Sequence, residues 1–173
     1  ANMLDGGAGN DYLQGGWGDD ALYGGADSDW LFGAVGDDMI FGGDGDDFPH
    51  GDGSARWRVD GGFAPNYVPV YLQGDDIIDG GAGNDGLGGH GGADILYGGT
   101  GNDTMHGDMA YLPTDLYVHV PYEHQGDDWL DGGDGDDQIY GDGRDDTLIG
   151  VIGADSLWGD RTQDALYAEH HGD

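Results

Sequence analysis

The sequence predicts an all-β fold, a right-handed parallel β-roll in which two nine-residue units close each coil. Three regularities carry that reading: a glycine-rich nonapeptide recurs in register, an aspartate stands at its sixth position, and an aliphatic residue usually stands at its eighth. One inward aliphatic flanked by two outward residues is the period-2 signature of a three-residue strand. The glycine-rich hexapeptide ahead of it supplies positive-φ turn positions that other residues tolerate poorly. Two units make a coil of about eighteen residues, and coils stack at roughly 4.8 Å, the ordinary strand spacing.

Taken in order, Ala1 to Asp5 reads as the tail of a unit, with Asn2 at position 6 and Leu4 at position 8, so the chain looks excised from a longer one. Five units follow: GGAGNDYLQ from Gly6, GGWGDDALY from Gly15, GGADSDWLF from Gly24, GAVGDDMIF from Gly33 and GGDGDDFPH from Gly42. The pattern resumes from Gly80 to His106 and again from Gly132 to Trp158. Position 8 is held by Leu13, Leu22, Leu31, Ile40, Ile78, Leu87, Leu96, Met105, Leu130, Ile139, Leu148 and Leu157.

Because units alternate between the two edges of the roll, the sixth-position acids fall into two rows. Asp11, Asp29, Asp47, Asp85, Asp103, Asp137 and Asp155 form one, and Asp20, Asp38, Asp76, Asp94, Asp128 and Asp146 the other. Neighbours in a row lie one coil apart, close enough for a hard cation to take a carboxylate oxygen from each together with turn carbonyls, the all-oxygen shell calcium prefers. An isolated Asp in a glycine-rich turn would instead make a local side-chain turn bond; two unbroken rows argue against that reading. The gaps within the rows imply about eleven calcium ions.

These units resemble the nonapeptide of the hemolysin-type calcium-binding (RTX) family, GGxGxDxUx, over roughly four-fifths of the chain. The resemblance implies calcium in the aspartate rows and a secreted bacterial protein, extracellular or on the cell surface. Members typically leave the cell through a one-step channel under an uncleaved C-terminal signal, which is not visible here.

Charge points the same way. There are 36 acidic residues against four Arg and no Lys, a formal net charge of −32, so a folded chain without cations would repel itself. A dozen inward aliphatics are a thin core for 173 residues, and folding coupled to metal is the expectation. There is no Cys, hence no disulfide framework or thiol chemistry. No apolar run approaches a membrane span, and the charge disfavours nucleic acid.

The repeat is interrupted at Ser54 to Gln73 (54–73), after Gly51-Asp52-Gly53, and at Met109 to Gln125 (109–125), after Gly107-Asp108. A third interruption, 161–171, is preferred over an in-register alternative that would put Asp164 at position 6 and Leu166 at position 8. Three plain units separate successive insertions, an odd count that returns all of them to one edge, roughly 9.5 Å apart. They carry Trp57, Phe63, Tyr67, Tyr71, Tyr111, Tyr117 and Tyr122, stiffened by Pro65, Pro69, Pro113 and Pro121. Such aromatics suit a protein, glycan or self-association contact; equally, loops of this length fold as small hairpins that cover the sheet or one another. YVPVYL and LYVHVPY alternate well enough for short strands, and Tyr67 or Tyr71 is expected near the segment from Tyr111 to Tyr122.

Catalytic motifs are absent: Ser28, Ser54 and Ser156 lack a nucleophile context, and no HExxH, phosphate loop or CxxC occurs. His50 and His106 at position 9 point out from the sheet, and nothing fixes a tetrahedral ligand set around any histidine. The acids at position 5, such as Asp19, belong to the repeat and are not expected to bridge ions. The chain therefore reads as one repeat domain over 1–173, not an enzyme, that binds calcium and serves a structural or adhesive role. The alternatives are a secretion and folding module of a larger exported protease or lipase, or a subunit of a surface layer or filament.

Overall fold

The computed structural model describes residues 1–52, 54–57, 63–66, 73–110, 118–120, 122–160 and 163–168. They form a parallel β-solenoid of about 7 turns, the predicted right-handed β-roll. One sheet has eight strands in the spatial order β1 (Met3–Ala8), β3 (Ala21–Ala26), β5 (Met39–Asp44), β9 (Ile77–Ala82), β11 (Ile95–Thr100), β15 (Trp129–Asp134), β17 (Thr147–Ile149) and β19 (Ala165–Tyr167). The other has seven: β2 (Tyr12–Trp17), β4 (Trp30–Val35), β6 (Phe48–His50), β10 (Gly86–Gly88), β12 (Thr104–His106), β16 (Gln138–Tyr140) and β18 (Ser156–Trp158). The register is that of the repeat, with Leu22 beside Leu4 and Ile40, and Leu96 beside Ile78 and Leu130.

Between the sheets lies one column of side chains. Leu13, Leu22, Leu31, Ile40, Ile78, Leu87, Leu96, Met105, Leu130, Ile139 and Leu148 make the core, and Leu4 and Leu157 pack partly buried at its ends. All are position-8 residues, as the periodicity requires. Pro49 takes that position in β6; a proline has no N–H for the ladder, and β6 meets β10 through the single registered pair His50 and Gly88.

Strand length departs from the three residues expected. Eight strands run for 6 residues, continuing through positions 1 to 3 of the next unit. In seven of these the unit begins Gly-Gly, and the second glycine sits at positive φ, from 89° at Gly133 to 116° at Gly25. That conformation lets the ladder run on through the bend. Only β4 does so with a side chain there, Ala34 at φ 93°. Where position 2 is Asp52, His90, Asp108, Asp142, Val151 or Asp160, the strand before it stops after 3 residues.

Both long insertions leave the seven-stranded sheet, after β6 and after β12, and re-enter the eight-stranded sheet at β9 and β15. They thus share one edge and stand two coils apart, as the unit count requires. Each contains an antiparallel pair: β7 (Ser54–Trp57) with β8 (Phe63–Asn66), and β13 (Met109–Ala110) with β14 (Val118–His119). β7 runs beside β4 and β13 beside β10. Phe32, His50 and His106 point away from the core, yet all are buried, so this outer strip of the sheet is covered. YVPVYL and the residues Tyr67, Tyr71, Tyr111 and Tyr117 lie outside the described residues.

The preferred reading of 161–171 is corrected. Ala165, Leu166 and Tyr167 pair in register with Thr147, Leu148 and Ile149, and the Asp146 amide donates to Asp164 Oδ1 at 3.1 Å. The short Gly159 to Gln163 stretch spans the same five turn positions as a plain unit, so the chain can close the coil without bulging out.

Candidate metal sites

The sixth-position aspartates are tied together by their own backbone. Each amide donates to Oδ1 of the aspartate one coil on, from Asp11 to Asp29 at 2.8 Å through Asp137 to Asp155 at 3.1 Å in one row. The other row runs from Asp20 to Asp38 at 2.7 Å through Asp128 to Asp146 at 3.0 Å. The insertions do not break it: Asp38 reaches Asp76 and Asp47 reaches Asp85, both at 2.7 Å across 38 residues. These are the two rows read from the sequence, extended by Asp164.

With Oδ1 engaged, the second oxygen is left over. Oδ2 of Asp11, Asp20, Asp29, Asp38, Asp47, Asp76, Asp85, Asp94, Asp103, Asp128, Asp137 and Asp146 is buried without a hydrogen-bond partner. Buried carboxylate oxygens are rarely abandoned in this way, because desolvation without compensation is costly. Each lies against the glycine that opens its unit. At Gly24, a Cβ would stand 2.5 Å from Asp29 Oδ2 and 2.6 Å from the Gly42 carbonyl oxygen. The missing side chain therefore leaves a recess where a carboxylate oxygen and a carbonyl oxygen of the next coil converge, and the same geometry recurs at Gly6, where the distances are 2.8 Å to Asp11 Oδ2 and 2.7 Å to the Gly24 oxygen.

A family model for the RTX calcium-binding nonapeptide repeat (4 copies) matches residues 1–31, 23–53, 72–87, 89–109, 124–143 and 140–169. The chain belongs to this RTX repeat family. A comparison with curated proteins finds no match. The RTX match skips most of both long insertions, as does the repeat itself.

RTX repeats bind calcium, and the donor set here fits that ion: oxygens only, supplied by carboxylates and carbonyls. Among the described residues no three His, Cys, Asp or Glu side chains converge on one point. The recess at Gly24 takes part of its shell from the backbone, the Gly42 carbonyl oxygen. Crowding of the acids shows in their protonation. Burial raises the carboxyls of Asp38, Asp47 and Asp137 to about 6, and those of Asp85 and Asp146 to about 7, with neighbouring acids adding to the rise.

Three features were not read from the sequence. Position 5 forms its own exposed ladder: Asp37 donates to Asp19 Oδ1 at 3.4 Å, Asn84 to Asp46 Oδ1 at 2.9 Å, and Asn102 to Asn84 Oδ1 at 2.8 Å. The recurring Asx residues at position 5 were its signal. Asp52 and Asp108, in the Gly-Asp pairs that open the insertions, are 1 % and 0 % exposed. Burial, and then Asp94, push Asp52 up to about 10; burial, and then Asp128, push Asp108 up to about 9. Finally, His90, at φ 84°, meets the ring of His50 edge-on at 5.5 Å. Burial holds His50 down to about 4 and His90 well below its ordinary value, so both are neutral.

Proposed function

We propose that the chain is a calcium-binding β-roll of a secreted bacterial protein, structural or adhesive in role, that folds when calcium enters the two aspartate rows. The proposed ligands are Asp11, Asp29, Asp47, Asp85, Asp103, Asp137 and Asp155 on one edge, and Asp20, Asp38, Asp76, Asp94, Asp128, Asp146 and Asp164 on the other. Adjacent pairs leave six gaps in each row, about one ion per gap. The observation that carries the proposal is the series of buried, unpartnered Oδ2 atoms from Asp11 to Asp146, in a chain whose formal charge is −32. Oδ1 builds the scaffold, Oδ2 and the glycine carbonyls offer the coordination, and bound calcium supplies the positive charge that the few arginines do not. The insertion-bearing edge is the proposed contact surface for a protein, a glycan or a second copy.

A circular dichroism titration tests this directly. In chelator the strand signal should be largely lost, and it should return cooperatively as calcium is added. Full strand content in excess chelator, unchanged by calcium, would refute metal-coupled folding.

A further inference from the structure

Each long insertion splits a turn in two. Gly51 and Asp52 supply positions 1 and 2, and the rest of that turn is supplied by Gln73, Gly74, Asp75 and Asp76; Gly107 and Asp108 are completed in the same way by Gln125, Gly126, Asp127 and Asp128. The returning pieces stand in register, since Gly74 stacks on the Gly36 carbonyl, Gly126 on the Gly92 carbonyl, and the Asp75 amide donates to Asp37 Oδ1 at 3.2 Å. A plain turn is held by chain continuity between positions 2 and 3. A split turn has none there, and the Asp at position 2 replaces it. The Gly74 amide donates to the Asp52 carboxylate, 3.2 Å from Oδ2, and the Gly126 amide to Asp108 Oδ1 at 3.0 Å.

Both carboxylates also reach one coil further. Asp108 Oδ2 accepts from the Gly143 amide at 3.3 Å, and the Gly91 amide faces Asp52. Gly91 and Gly143 hold the same position of their units, three residues before Asp94 and Asp146. Each clasp thus fastens two successive turns of one row, those of Asp76 and Asp94 and those of Asp128 and Asp146. The orphaned Oδ2 of Asp76 lies against Gly51, and that of Asp128 against Gly107, the residues immediately before the two clasps.

Asp108 uses one oxygen for each of two glycine amides, and Asn, with a single acceptor oxygen and an NH2 group that only donates, would not make the same bonds. Resting on the calcium reading above, we infer that Asp52 and Asp108 are positioning residues that couple calcium in the adjoining sites to closure of the insertions. Asp76 with Asp94, and Asp128 with Asp146, would hold the ion, whose charge would strengthen the hold of the neighbouring clasp carboxylate on the glycine amides that shape the recess. The coupling is reciprocal: whatever calcium adds to closure, closure adds to calcium affinity.

The variants Asp52→Asn and Asp108→Asn keep one acceptor oxygen for the glycine amides and remove the second together with the ionisable group. Calorimetry with calcium chloride on the whole chain should show some of the sites weakened roughly ten- to a hundredfold, with Asp46→Asn, at an exposed position 5 away from both clasps, binding as the parent does. Unchanged or tighter calcium binding in both clasp variants would overturn the coupling and leave Asp52 and Asp108 as hydrogen-bonding braces only. Amide exchange on the parent chain gives a second readout that does not depend on a variant folding. Gly74 and Gly126 should gain protection in step with calcium uptake, and protection at either amide that ignores calcium in a folded chain would also overturn the inference. A parent chain that takes up no calcium would instead sink the calcium reading itself.

Discussion

At the scale of single residues, the two oxygens of one carboxylate do different things. Asp29 Oδ1 accepts the Asp11 amide, the Asp29 amide is satisfied by Asp47, and Asp29 Oδ2 has no partner. Asp29→Ala should therefore remove a bond of the scaffold and a proposed ligand shared by two gaps. Asp19, exposed and bonded once at 3.4 Å, should cost under about 1 kcal/mol when replaced by Ala. Calorimetry and calcium-induced folding of the two variants compare them, and equal effects would show that position 6 has no privileged role. The opening glycines are equally specific: Gly24→Ala would push a methyl group into the recess between Asp29 Oδ2 and the Gly42 oxygen, and calcium-induced folding should weaken markedly. Protons compete for the same oxygens. Asp38, Asp47, Asp85, Asp137 and Asp146 have carboxyls raised to about 6 or 7 by burial. The fold therefore binds protons more tightly than the unfolded chain. Stability of the metal-free roll should rise as pH falls from about 7 toward 4, and be lost as pH rises through 6 to 7. Circular dichroism without calcium should show more strand at pH 5 than at pH 8, while calcium affinity falls over the same descent; equal strand content at both pH values would contradict it.

Strands of the roll differ in length according to the first two residues of the unit that each one enters. The Gly-Gly pairs within β3 and β5 let those strands run for 6 residues, whereas Gly150 and Val151, the latter at φ 57°, lie beyond the end of the shorter β17. The split turns make a sharper prediction. Removing residues 53–72 leaves Gly51-Asp52-Gln73-Gly74-Asp75-Asp76, a hexapeptide of the length and acid placement of a plain turn. Calcium-induced roll formation should survive this excision, while binding of an apolar dye should increase, because the strip around Phe32 and His50 is buried in the intact chain. Any adhesion or assembly by the parent should be lost with the segment. Loss of calcium-coupled folding would make the insertion part of the scaffold. Burial of the outward histidines already favours hairpins that cover the sheet over loops that stand off it.

For the whole molecule, the coils form a one-dimensional stack in which each interacts with its neighbours. The core column is fully buried from Leu22 to Leu148, but Leu166 at the end of the eight-stranded sheet is 47 % exposed. Hydrogen exchange of the calcium-loaded chain should accordingly be fastest in β1 and β19 and slowest around β9 and β11. Magnesium should not replace calcium in driving the transition, because it demands a near-ideal octahedron at shorter distances and surrenders its water reluctantly. A folded signal with magnesium alone at matched concentration would remove the argument from coordination.

The period of nine by itself determined the parallel coil, the aliphatic column, the membership of both aspartate rows through Asp155, and the single edge that bears the insertions. Each of these arises from local geometry repeated at constant spacing, so counting residues was enough. Tertiary structure decided what counting could not reach. Asp164 and Leu166 joined the ladder because Gly159 to Gln163 spans one turn without excess chain. Asp52 and Asp108 turned inward because the amides of Gly74 and Gly126, 22 and 18 residues away in sequence, come back beside them. Whether His50 and His106 meet solvent depended on the company they keep, Phe32 and His90 beside His50, and Asp142 and Tyr140 beside His106, since a residue's orientation is set by its strand but its cover is supplied by other segments of the chain.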